Sequence, residues 1–219
     1  MIVETREEWI SLARLSSHVE RHDDVIKYMT EAAKMASLNY EERKLIFTSY
    51  EKKKLILTET LKTFDDCDPA LKLQFVAKLN SICDEIIKLA DFLNKDEASE
   101  SVAHYKYILS RQYSDKAKLA SEFEENKFKE KAYVALRESM LLSKKHLNSA
   151  HPLRLLTVFD FSTFYDAEQR QNKLGFKVIK KIYEKGVLGL AELDWSLQND
   201  ALLVLHELKE RIDYWMKIQ

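Results

Sequence analysis

Only three glycines and two prolines occur among 219 residues, and that scarcity constrains the fold more than any motif does. An average chain of this length would hold about 26 of the two together. Sandwiches and barrels need turn chemistry every roughly 8–12 residues, and a doubly wound sheet needs a glycine-rich turn after its first strand. Neither can be assembled from this inventory, which leaves an all-α protein of long helices and short links. Gly175, Gly186 and Gly189 match neither G-x-G-x-x-G nor G-x-x-x-x-G-K-[ST], so nucleotide hydrolysis by a P-loop is excluded.

Helix start signals recur along the chain, each opening a stretch with apolar residues three and four apart. Thr5 with Glu8, and Asn39 with Glu42, read as capping boxes. Asp68-Pro69 and His151-Pro152 put proline where a first helical turn accepts it. The punctuation predicts about nine helices, near 4–18, 21–36, 40–64, 69–93, 99–122, 127–147, 152–169, 172–189 and 199–217. No linker rich in Gly, Ser or Pro divides them, so residues 1–219 read as a single helical domain. A tetratricopeptide array is the nearest alternative on composition, but its signature does not recur at a period of about 34.

Lys plus Arg is 35 and Asp plus Glu is 36, so no overall field attracts nucleic acid or an anionic membrane. The longest apolar runs, Ala132–Leu136 and Ala201–Leu205, are five residues, against the ~20 a membrane helix needs. Met1-Ile2-Val3-Glu4 starts no signal peptide. Cys67 and Cys83 lie 16 apart with no CxxC or Cys/His zinc spacing, so reduced thiols and a cytoplasmic location are expected.

Several ordered stretches resemble the 14-3-3 family of dimeric phosphoserine- and phosphothreonine-binding adaptors. Leu15-Ser-Ser-His-Val-Glu-Arg-His-Asp-Asp24 is similar to the family's L-A-E-x-A-E-R-Y-D-D, and Glu41-Glu-Arg-Lys-Leu-Ile-Phe-Thr-Ser-Tyr50 to E-E-R-N-L-L-S-V-A-Y. Ser143-Lys-Lys, His151-Pro-Leu-Arg-Leu155 and Phe161-Ser-Thr-Phe-Tyr165 resemble S-K-K, H-P-I-R-L and the end of N-F-S-V-F-Y. Ala191-Glu-Leu-Asp194 through Asp200 to Trp215 is a weaker match. The resemblance implies nine antiparallel helices in a cup-shaped domain, with a client-holding groove and a dimer interface on the first four helices.

What the resemblance implies for the groove transfers unevenly. The family's phosphate-holding Lys and Arg on the third helix match Glu51 and Thr58. On the fifth helix Lys106 lies near a family lysine, the Arg-Tyr pair falls on Tyr113-Ser114 or Ser114-Asp115, and Arg111 lies one turn earlier. The peptide-steadying asparagines match Asp160 and Arg211, Phe159 matches a groove position, and the tryptophan is retained as Trp215 beside Leu203 and Val204. A phosphate near Glu51 and Asp160 would be repelled by roughly 4 kcal/mol per unit charge pair at 4 Å with an effective dielectric near 20. Lys106, Arg111 and Arg211 would offset part of that; the alternative is that Arg211 pairs with Asp160.

For the dimer, Leu15, Val19, Arg21, Leu71 and Phe75 match interface positions, and the acid that should face Arg21 reads Lys78. The chain stops four residues beyond Trp215, which leaves no acidic tail to mask the groove. His18 and His22 at i, i+4 raise a metal reading, but the pattern is neither HExxH nor HxxEH. Lys173, Lys177, Lys180 and Lys181 form a basic stripe that suits a solvated face or an acidic partner. Phe159, Phe161, Phe164 and Tyr165 read mostly as core. No Ser, Cys or His sits in a recognisable catalytic context, so the chain is read as a non-enzyme without metal or cofactor. The expected function is a 14-3-3-like adaptor that binds client segments or phosphopeptides as a homodimer or with a paralogue, its phosphate specificity altered. The alternative is a helical interaction module whose phosphate site has lapsed.

Overall fold

The computed structural model describes residues 5–63, 69–94, 99–168 and 173–218. Among the described residues there are nine α-helices, one 3-10 turn and no strand. The helices are α1 (Arg6–His18), α2 (His22–Met35), α3 (Tyr40–Thr63), α4 (Pro69–Leu93), α5 (Ser99–Leu119), α6 (Glu122–His146), α7 (Pro152–Glu168), α8 (Lys173–Gly189) and α9 (Trp195–Ile218), with the 3-10 turn at Leu190–Glu192 before α9. Cys67, the side chains of Phe164, Tyr165 and Lys173, and Asp68 before Pro69 lie outside the described residues.

Both capping boxes form. The Thr5 hydroxyl accepts from the Glu8 N–H and the Glu8 carboxylate accepts from the Thr5 N–H. Asn39 and Glu42 exchange the same pair of bonds, each 3.0 Å, and Arg6 clamps Glu42 across the two caps. Two helices start earlier than their periodicity predicts. The Ser121 carbonyl accepts from the Glu124 and Glu125 N–H groups, and three glutamates on that first turn face the positive end of the helix dipole, so α6 begins at Glu122 rather than near 127. The Asp194 carbonyl accepts from the Leu197 N–H at 2.9 Å, starting α9 at Trp195 rather than 199.

The chain divides into two compact units, and two of the divisions fall inside helices. The first unit comprises Met1–Asp96 with Gln112–Glu125, and the second Glu97–Arg111 with Asn126–Gln219. In the first unit α1 packs on α2, α2 on α3 and α3 on α4, around Ala13, Val25, Met29, Ile46, Ile82 and Ile86. Arg43 is almost wholly buried there, its guanidinium satisfied in part by the Leu38 carbonyl. Burial also pushes the Cys83 thiol up to about 11 and, with help from Glu85 and Asp23, the Tyr50 phenol up to about 12. Cys83 is a free thiol.

In the second unit α8 packs on both α7 and α9. Leu155, Val158, Ile179, Leu205, Leu208 and Trp215 form its core. Gly186 permits that approach: a Cβ there would lie 2.9 Å from a Leu205 methyl and 3.0 Å from one of Leu155.

Candidate functional site

The candidate residues fall into two clusters, one in each unit. In the first unit, Glu51 and Lys54 stand one turn apart on α3 and meet Gln112 and Asp115, likewise one turn apart, on α5. The Lys54 ammonium lies 2.8 Å from Glu51 Oε1 and donates to Asp115 Oδ2 at 2.7 Å and Gln112 Oε1 at 2.9 Å. An ammonium has three N–H donors, so these three acceptors use its whole capacity. Gln112 Nε2 also donates to Glu51 Oε1 at 3.2 Å, and Lys118 pairs with the other oxygen of Asp115 at 3.1 Å.

Burial alone would lower the Lys54 pKa, but Glu51 and Asp115 outweigh it and hold the ammonium above the usual lysine range. Burial alone would raise Asp115, and Lys54 with Lys118 instead brings it below the usual carboxylate value. Lys54 and Asp115 thus hold each other in the charged form. The Lys54 side chain is 8% exposed, while Glu51 and Asp115 remain 41% and 31% exposed and Lys118 75%, so the surface offered outward is two carboxylates beside one ammonium. Thr58 adds no donor of its own to this surface, because its hydroxyl donates back to the Lys54 carbonyl at 2.9 Å.

In the second unit, Asp160 on α7 accepts from the Tyr107 hydroxyl at 3.0 Å and lies 3.5 Å from the Arg111 guanidinium. Burial, reinforced by Asp160, pushes the Tyr107 phenol far above its ordinary value, so it stays a donor. Lys106 pairs with Glu138 of α6 at 2.7 Å. Arg211 of α9 reaches α7. It donates to Thr163 Oγ1, and its guanidinium carbon lies 5.3 Å from the Phe159 ring centre and 5.8 Å from that of Trp215. Both distances suit cation–π attraction. Val204 and Trp215 are core residues, whereas Leu203 is exposed.

Lys54, Gln112, Tyr107 and Glu138 are the residues that sequence reasoning did not place in a site. The i, i+3 spacings Glu51/Lys54 and Gln112/Asp115 were visible, but that α3 and α5 bring these two pairs together is a tertiary fact. Of the interface candidates, Leu15, Val19 and Leu71 are exposed, Phe75 is half-buried and Lys78 is exposed. Arg21 is ion-paired to Asp24 one turn on. His18 ends α1 and His22 begins α2, so the two imidazoles do not share a helical face. The His18 ring bonds the Arg14 carbonyl at 2.7 Å.

The family model for 14-3-3 proteins matches residues 12–216. The chain is 25% identical to 14-3-3 protein eta of Bos taurus, over 98% of this chain and 95% of that protein. It is 24% identical to 14-3-3 protein 3 of Entamoeba histolytica, over 98% and 97%, and 25% identical to 14-3-3-like protein 1 of Caenorhabditis elegans, over 97% and 92%. No described helix is long and apolar enough to cross a membrane. With nine helices in the described residues and a match across nearly its whole length, the chain belongs to the 14-3-3 family of non-enzymatic adaptors that bind client proteins.

Proposed function

We propose that this adaptor binds its clients without requiring that they be phosphorylated. The observation that carries this reading is the saturation of Lys54 by Glu51, Asp115 and Gln112. For a phosphate to bind there, it would have to displace two built-in carboxylates already in charge-assisted contact and then sit beside them. Like charges at such distances repel by several kcal/mol even at an effective dielectric near 20, about 4 at 4 Å. Lys106 and Arg111 are likewise engaged by Glu138 and Asp160. Client binding in this reading rests on apolar and neutral polar contacts, with exposed Leu203 contributing. The protein works as a two-fold dimer in the cytoplasm.

A second reading keeps an anion preference and rests on Arg211, whose guanidinium lies across Phe159 and Trp215 beside Thr163. There it would bind a client carboxylate or phosphate through a planar fork. Selection from a degenerate peptide pool, offered once with a fixed central phosphoserine and once with serine, separates the two. Equal enrichment from both pools supports the first reading. Enrichment from the phosphorylated pool alone, abolished by Arg211→Ala, supports the second.

A further inference from the structure

We propose that the outer face of α8 docks the acidic first turn of α6 from another copy of this chain, giving a head-to-tail contact separate from any two-fold dimer. Two surfaces carry it, and neither takes part in the clusters described above. On α8, Lys177, Lys181 and Lys185 follow at steps of four residues and Leu188 three residues later, which puts them on one helical face. All four are exposed, Leu188 by 79%, and Trp195, at the start of α9, is 82% exposed. Counting Lys180 and Glu184, the described exposed side chains of α8 include four lysines against one glutamate, or +3 in a chain whose net charge is −1.

The complementary surface is the start of α6. Phe123 is 93% exposed and stands among Glu122, Glu124 and Glu125, three negative charges on one turn, with Lys127 and Lys129 the cations on the next turn. An apolar anchor inside an acidic rim thus has, on the same polypeptide, an apolar pair beside a basic rim. Single exposed apolar residues are ordinary on a protein surface. Here both carry the opposite charge around them, which is the arrangement that steers and registers an interface. A broad anionic bilayer would meet Glu184, Glu192 and Asp194 together, whereas a single acidic turn covers only part of the face. Because the two patches differ, the contact is heterologous, so each copy keeps one unused patch and assembly can continue.

The test is sedimentation velocity of the full chain at about 100 µM, in about 20 mM and about 500 mM salt. Species larger than those present at high salt are expected at low salt. Phe123→Ser and Lys181→Glu, both at exposed positions, should each abolish them. Mixing these two variants should restore species larger than either variant alone, because each supplies the patch the other lacks. A wild-type chain with the same mass at both salts overturns the proposal, as does a mixture that stays unassociated. Lys181-dependent sedimentation with phosphatidylserine vesicles, without assembly in their absence, assigns the face to a bilayer and also overturns it.

Discussion

Lys54 is the residue on which the functional reading turns, and its charge state fixes a pH signature. Asp115 has a lowered folded pKa, so its contribution is present above the unfolded carboxylate value and is lost as pH falls through the folded one. Lys54 has a raised folded pKa, so its contribution is present below the unfolded lysine value and is lost as pH rises through the folded one. Lys54→Met should therefore cost about 2–3 kcal/mol on a plateau from about pH 5 to 9, less than a fully buried pair because both carboxylates keep some water. Urea denaturation at pH 3 and pH 7 checks it, with the difference between wild type and variant shrinking at the lower pH. A second residue carries strain. Glu20 has φ 56, in the left-handed region that favours glycine. Glu20→Gly should stabilise the turn between α1 and α2 by about 1 kcal/mol, read as a raised urea midpoint. Neither feature was legible beforehand, because the positive φ and the meeting of α3 with α5 depend on how the helices are placed.

At the scale of elements much more could be read from the sequence. The deficit of glycine and proline leaves helices as the only economical element, and the two capping boxes and two prolines mark where α1, α3, α4 and α7 begin. The early starts of α6 and α9 were missed because Ser121 and Asp194 act through backbone carbonyls, which any residue supplies. The His18/His22 spacing suits one helical face only within a single helix, and the break expected between 18 and 21 does separate them. Gly189 shows a glycine fixed by close approach. A Cβ there would come within 2.3 Å of the Ser149 hydroxyl, which donates to the Lys185 carbonyl and ties the α6–α7 link to the last turn of α8. Gly189→Ala should cost about 1–2 kcal/mol, since the serine must move and its bond is lost. Thermal unfolding followed by circular dichroism would show this as a lowered midpoint.

At the scale of the whole molecule family membership accounts for the scaffold, and the proposed function for a different chemistry at the site. Fold follows from helix punctuation and apolar spacing, whereas phosphate recognition would rest on a few cations, and the proposed function holds that this chain's are already engaged. The proposed dimer is open to the same reasoning. Arg21 is already neutralised by Asp24, which weakens repulsion from a lysine at position 78. Sedimentation equilibrium at high salt should show a two-chain species, and Lys78→Glu should tighten it several-fold; a persistent single chain near 25.8 kDa would contradict the dimer. The most direct test of phosphate independence is calorimetric titration of one selected peptide in phosphoserine and serine forms, into wild type and into Glu51→Gln/Asp115→Asn. The wild type should bind both forms within about threefold, and the variant, with Lys54 released from both carboxylates, should gain at least tenfold for the phosphorylated form, about 1.4 kcal/mol. A wild type that already prefers the phosphorylated peptide by tenfold or more would contradict the account.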